Sequence, residues 1–343
     1  MTKSGRYSSR DSGRYSGRYK VALAQMTPIL GDVRANVGRA AALAAEASRA
    51  GARLIVFPEL ALTGYYLKDL VSEVARPVDA PELEPLARQS ARIAIVAGFV
   101  EAGADSALYN AAALWVGGRP VWVHRKLYLP TYGVFDEGRY VARGRRLEAF
   151  DSPFGRSGLL ICEDIWHPST VYVLAQDGAQ LLVVVSASPT REAGGEAASR
   201  VGSIWYDLLR VHAVMHGVHV VFVNRVGFED GVNFWGGSRI VGPDGSPRAE
   251  APLFDESLTF GEVDPLEVMR ERTRSHHVWD EDPHLTLRCL SAALARRGRD
   301  GAIQDTNRKR DQKNQEPHHV GQGQRRKTGR APARAQRRPG HAR

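Results

Sequence analysis

A carboxylate, an amine and a thiol each stand just past an apolar run of this sequence. Glu59 follows Leu54-Ile55-Val56-Phe57 through Pro58, Lys126 follows Val121-Trp122-Val123, and Cys162 ends Gly158-Leu159-Leu160-Ile161. Layered α/β folds place reacting groups where buried strands end. A thiolate attacks carbonyl carbon well, but a free thiol has a pKa of ~8.5 and needs a base or a nearby cation. Glu59 has the chemistry of that base and Lys126 of that cation. Amide hydrolysis asks for such a set: a nucleophile, a proton carrier and a group that receives the developing oxyanion. Taken singly, each residue also has a plain structural role: the thiol as core filler, the glutamate as a helix-start acid, the lysine as a snorkelling surface amine.

The elements that position them are read from hydrophobic pattern. Lys20 to Gln25 is a strand, residues 34–50 carry Val37, Ala40, Ala41, Ala44 and Ala47 at helical spacing, and Arg53 to Phe57 returns as a short buried strand. Further apolar runs at 93–99, 111–116, 121–123, 158–161, 181–185 and 218–223 are bounded by Gly, Pro, Asp or Asn, and helical patterns fill 168–177 and 197–216. Buried strands interleaved with helices imply an α/β layered domain in which helices cover a sheet.

Three segments then carry a resemblance. Phe57-Pro58-Glu59-Leu60-Ala61-Leu62-Thr63-Gly64-Tyr65, Lys126-Leu127-Tyr128-Leu129-Pro130 and Leu160-Ile161-Cys162-Glu163-Asp164-Ile165-Trp166 resemble, in order and spacing, the signature segments of the nitrilase, or carbon-nitrogen hydrolase, superfamily. Pro130 to Tyr140, Val223-Asn224-Arg225-Val226-Gly227, Gly236-Gly237-Ser238 and Gly242-Pro243-Asp244-Gly245 look more specifically like the glutaminase domain of glutamine-dependent NAD synthetase. The resemblance spans about residues 20–270. It implies a four-layer αββα sandwich, a homo-oligomer, and a cysteine-dependent amidohydrolase that cleaves a small linear amide through a thioester and releases ammonia. It implies Cys162 as nucleophile, Glu59 as base, Lys126 and the backbone N–H of Glu163 as the oxyanion site, and Glu137 as a second glutamate that orients Lys126. Tyr132, Glu163, Ser186, Ser188 and Arg191 are the expected substrate-binding residues, with Arg200 as an alternative to Arg191 for a substrate carboxylate. No cofactor and no metal is expected. The chain departs from the resemblance twice. Thr190 replaces an aromatic after Ser186-Ala187-Ser188-Pro189, and Glu192-Ala193-Gly194-Gly195 disrupts the next part of the pattern. Nothing after residue 270 has a Ser-Gly-Gly pyrophosphate loop. Ammonia supply to a separate synthetase subunit is therefore an alternative function.

Other chemistries fit the same residues less well. His167 follows Cys162 by five residues and reads better as a capping or surface histidine than as a partner of the thiol. His212, His216 and His219 superficially suggest a metal, but Ala213 stands where an HExxH pattern needs glutamate. Cys289 stands alone. With Cys162 and Cys289 the only cysteines there is no disulfide framework, and with no apolar run of roughly 18 residues no membrane span is expected; a cytoplasmic protein is the expectation.

Charge separates body from ends. The net +9 divides unevenly: residues 1–20 carry 6 basic and 1 acidic side chains, 296–343 carry 15 and 4, and 21–295 carry 26 against 33. The body is mildly acidic, so any weak nucleic-acid binding or scaffold role belongs to the ends. Ser4-Gly5-Arg6-Tyr7 recurs at Ser12 and Ser16, and from Arg296 onward the only branched apolar residues are Ile303 and Val320. Both ends are expected to be disordered. The expected division is thus 1–20, a hydrolase domain over 21–275, an extension of that domain over 276–295, and the tail 296–343.

Overall fold

The computed structural model describes residues 17–190 and 195–297. Its strands, in chain order, are β1 (Tyr19–Gln25), β2 (Leu54–Val56), β3 (Ala94–Ala102), β4 (Leu108–Val116), β5 (Arg119–Arg125), β6 (Phe150–Ser152), β7 (Gly155–Ile161), β8 (Leu181–Ser186), β9 (Pro189–Thr190), β10 (His219–Asn224), β11 (Val226–Glu229), β12 (Val232–Trp235), β13 (Arg239–Val241), β14 (Pro247–Glu250) and β15 (Ser257–Val263). The helices are α1 (Val33–Arg49), α2 (Val71–Val74), α3 (Glu84–Gln89), α4 (Pro168–Gln176), α5 (Gly195–His216), α6 (Pro265–Arg274) and α7 (His277–Asp280).

Two six-stranded sheets, ordered β15-β1-β2-β3-β4-β5 and β14-β13-β10-β8-β7-β6, form the two inner layers. Each has a parallel centre, β1-β2-β3 in one and β7-β8-β10 in the other, flanked by antiparallel strands. Strand alternation explains the layering. Val21, Leu23, Leu54, Val56, Val96 and Leu114 turn inward toward the second sheet, while Ala22, Ala24, Ile55, Ile95 and Ala97 pack under α1 with Val37, Ala40, Ala44 and Ala47. The inner faces interdigitate so closely that Leu54, Val96 and Leu114 of one sheet and Leu159, Leu181 and Val183 of the other share a void of only about 10 Å³. On the far side α4 and α5 bury Val171, Leu174, Trp205, Leu209 and Ala213 against the second sheet. The result is the αββα sandwich.

The boundaries differ from expectation at both ends. The first strand begins at Tyr19, because its ring is buried and packs against Phe154 at 5.0 Å, so Tyr19 and Lys20 belong to the sheet and not to a basic arm. The segment expected to extend the domain over 276–295 divides after Glu281. α7 belongs to the sandwich, and the described residues 282–297 fall in a second unit, with a helix over residues 283–297 whose side chains are mostly exposed. Residues 1–16 and 298–343, on which the expectation of disorder falls, lie outside the described residues. Among the described residues no helix is long and apolar enough to cross a membrane.

Candidate functional site

The carboxyl ends of the parallel strands converge. Glu59 leaves β2 through Phe57-Pro58 and is fully buried, on a loop held tight against β3 by Gly98. A Cβ at residue 98 would lie 2.4 Å from the Leu60 nitrogen and 2.8 Å from the Glu59 Cα, so only glycine lets the strand run under that loop. Lys126 leaves β5, its backbone N–H bonded to the Asn110 carbonyl at 2.9 Å. Its Nζ donates to Glu59 Oε1 at 2.8 Å and to Glu137 Oε1 at 2.6 Å. Glu59 Oε1 also accepts from Asn110 Nδ2 at 2.7 Å, and Oε2 accepts from the Ala187 N–H at 2.7 Å. This one carboxylate thereby joins the first sheet to the end of β8 in the second. Three bonds leave it one lone-pair site, and two leave the ammonium one proton.

Cys162 ends β7 at φ +46°, a left-handed backbone rare for a side-chain-bearing residue and frequent at functional sites. Its Sγ accepts from Ser186 Oγ at 3.3 Å. Burial pushes the thiol well above its ordinary pKa, as does the Glu59 charge, while Lys126 pulls it down.

Asp164, two residues on, holds this turn against the lysine strand. Its Oδ2 accepts from the Ile161 N–H at 3.0 Å and contacts His124 Nε2 at 2.9 Å; its Oδ1 accepts from the Leu127 and Tyr128 N–H groups at 2.9 and 3.0 Å. Sequence reasoning misses Asp164, although an acid at the third position of a turn is a known way to cap the N–H just before it. It also misses Tyr65, whose hydroxyl donates to Glu137 Oε1, and Glu229, which accepts the Tyr65 and Tyr66 N–H groups and pairs with the fully buried Arg225 at 2.8 Å.

The expected substrate-binding residues are spread more widely. Tyr132 Oη donates to Glu163 Oε2 at 2.8 Å, and Glu163 directly follows Cys162 in the chain. Ser186 contacts the sulfur directly. The Ser188 hydroxyl accepts from the indoles of Trp205 and Trp235 at 3.0 and 3.2 Å, which leaves its own proton to donate. Arg191 lies outside the described residues, and Arg200 is exposed. His167 stacks on Tyr128 with ring centres 3.4 Å apart. His212 and His219 each place Nε2 on a backbone carbonyl, those of Ile165 and Asp264.

Burial raises the Glu137 carboxyl from 4.5 to about 7; Lys126 opposes this and the Glu59 charge adds to it. Between about 4.5 and about 7 the folded chain therefore keeps a proton that the unfolded chain has lost, so this group's contribution to stability falls as pH rises through that window. Urea unfolding of wild type and Glu137→Gln across the window should show the wild type losing stability relative to the variant as pH rises. Parallel curves would deny the shift.

The chain is 35% identical over 249 residues to a glutamine-dependent NAD(+) synthetase of Acinetobacter baylyi, covering 72% of this chain and 44% of that protein. It thus spans less than half the length of that relative. A Pseudomonas protegens protein described as the hydrolase in the pqqF 5' region is 31% identical over 275 residues, covering 78% of this chain and 90% of its own length. Among solved structures, a mutant of the amidase from Nesterenkonia sp. AN1, showing covalent addition of the acetamide moiety of fluoroacetamide at the active-site cysteine, matches with a TM-score of 0.66 at 26% identity, over 80% of this chain and 97% of the other. The carbon-nitrogen hydrolase profile matches residues 20–272, and this chain belongs to that family.

Proposed function

We propose that this protein hydrolyses a small linear amide through a Cys162 thioester. The observation that carries the reading is the buried cluster of Glu59, Lys126 and Glu137 against a thiol at a strained strand end. Cys162 Sγ attacks the amide carbon as its proton passes to the free lone pair of Glu59. The remaining Lys126 proton and the Glu163 N–H receive the oxyanion. Collapse breaks the C–N bond, Glu59 protonates the departing nitrogen, and ammonia leaves. Water then attacks the thioester with Glu59 as base, releasing the acid and restoring the thiol.

A panel of ω-amides, carbamoyl compounds and nitriles, with mass detection of the acyl-enzyme, tests the reading. Amide turnover with a thioester adduct on Cys162 is expected; nitriles turning over faster than every amide would reject the amidase assignment. Glu137→Gln keeps volume and removes charge, and should lower kcat roughly 10²-fold with a smaller effect on KM, because Lys126 matters most as charge develops. An unchanged kcat would remove Glu137 from the mechanism.

A second reading, glutaminase activity feeding a separate synthetase, is favoured by the similarity to the Acinetobacter baylyi synthetase. It requires glutamine turnover that rises when the partner is added.

A further inference from the structure

One polar side chain interrupts the inward face of β4. Asn110 shares that face with Ala112 and Leu114, which pack against the second sheet, and only 2% of its surface is exposed. A buried amide is destabilising unless its polar atoms are bonded. Asn110 meets that demand by half: Nδ2 donates to Glu59 Oε1 at 2.7 Å, while Oδ1 is buried with no hydrogen-bond partner among the described residues. An apolar residue here would bring no such unbonded oxygen. What the asparagine supplies against that structural cost is one N–H aimed at one oxygen.

That oxygen decides which part of the base is left to react. Each carboxylate oxygen has two lone-pair sites. Asn110 Nδ2 and Lys126 Nζ, at 2.7 and 2.8 Å, take both of those on Oε1, whereas Oε2 accepts from the Ala187 N–H alone, at 2.7 Å. The free lone pair of Glu59 is thus on Oε2. Ala187 directly follows Ser186, whose Oγ donates to Cys162 Sγ at 3.3 Å, so Oε2 lies toward the segment that touches the sulfur. Asn110 also acts through its backbone, because its carbonyl accepts from the Lys126 N–H at 2.9 Å. One residue holds the base by its side chain and the amine by its main chain.

We infer that Asn110 is a positioning residue of the hydrolytic site: by filling the second lone pair of Oε1 it leaves Oε2 as the atom that takes the Cys162 proton. The inference rests on the proposed thioester chemistry and adds the identity of the proton-carrying atom. As Sγ bonds to the amide carbon, its S–H bond breaks and an O–H bond forms on Oε2; that proton then passes to the departing nitrogen. Without the Asn110 N–H, Oε1 regains an open lone pair directed at β4. A proton held there is out of line with the thiol, and it is held more readily because a donor to the charged form is gone.

The pH profile of Asn110→Leu, which keeps the volume and the backbone bond to Lys126, tests this. Lys126 is bonded to Glu59, and the Glu59 charge also acts on Glu137, Cys162, Tyr65 and Arg225; the substitution leaves all five in place. Glu59 and Glu137 share the Lys126 ammonium and so titrate as a pair, and a donor lost from one moves the acid limb of the pair upward. With the best amide, the acid limb of kcat/KM should rise by about one pH unit, a deficit of about tenfold on the acid side that closes on the alkaline side. On the plateau KM should stay within about twofold of wild type, since Asn110 acts on Glu59 and not on substrate. Asn110→Ser, whose hydroxyl is too short to reach Oε1, should reproduce the shift and replaces the leucine variant if that one fails to melt cooperatively. An unmoved acid limb, or a deficit equal at every pH with KM raised, would overturn the inference and leave Asn110 a packing residue. A wild type that turns over no amide would remove the proposed function and this inference together, whereas amide turnover with an unmoved limb would remove the inference alone.

Discussion

Replacement of Cys162 by alanine is expected to eliminate turnover, with kcat lowered on the order of 10⁵-fold or more, while the fold survives. The size of the loss reflects the role. Without sulfur there is no atom to form the acyl intermediate, and loss of a nucleophile ordinarily costs nearly the whole of what its catalytic group supplies. The survival of the fold reflects the surroundings. Cys162 contributes one weak bond from Ser186, and its left-handed backbone is fixed by Asp164 and the flanking strand, which alanine leaves untouched. Alanine is about as strained there as cysteine, so the unfolding midpoint should shift by no more than about 1 kcal/mol in stability. A Cys162→Ala protein that still turns over its best amide would move the chemistry to another residue.

The second large effect is expected at Asp164. Its carboxylate faces three backbone N–H groups and His124; Ile161, Leu127 and His124 are buried and Tyr128 is partly buried. Alanine strands those donors, and with about 1–3 kcal/mol for each unmade bond the cost is roughly 4 kcal/mol or more, a large part of an ordinary domain's stability. Asparagine is the more informative change. Whichever way its amide turns, an NH₂ meets at least one backbone N–H, that of Ile161 in one orientation or those of Leu127 and Tyr128 in the other; only His124 can adapt, by changing tautomer. A loss of about 2 kcal/mol and at least tenfold in kcat is expected, because the residues released adjoin Cys162 on one side and Lys126 on the other. Urea melts and steady-state kinetics measure both. Stability within about 0.5 kcal/mol of wild type, with full activity, would show that the turn and the lysine strand keep their register by other means.

The contrast between these residues shows what is legible in the sequence. Cys162, Lys126 and Glu59 each sit at the end of a continuous apolar run, so local pattern marks them, and the same runs mark β1, β2, β3, β4, β5, β7, β8 and β10, although they stop two or three residues short at an end of β3, β4, β5 and β7. Asp164 carries no such mark. Its importance lies in bonds to residues 36, 37 and 40 positions away, and distance along the chain hides them. Tyr65 and Glu137 are 72 residues apart, and the same distance hides their bond. Arg225 and Glu229 are separated by four residues, yet they pair across the β11 start rather than along a helix, which periodicity does not anticipate. Ser188 illustrates the converse. Its motif invites a substrate role and gives no sign that two tryptophans from distant elements fill both accepting positions of its oxygen, leaving only the hydroxyl proton to donate. Tyr19 stands at the edge of a low-complexity repeat, and only the partner ring of Phe154 marks it as core.

Glu59 and Asp164 have one geometric property in common: each binds groups from both sheets, Asn110 and Lys126 with Ala187 in one case, His124 and Leu127 with Ile161 in the other. The reacting atoms are therefore assembled across a seam and belong to neither half. During refolding, each sheet can acquire its strands and its covering helices while the seam is still loose, and such a collapsed species holds near-native secondary structure with no competent site. Recovered activity is in that sense a clock for the last event, the locking of one sheet onto the other, and it should lag behind far-ultraviolet circular dichroism. Partial denaturation runs the clock backwards: the enzyme falls silent before its strands melt.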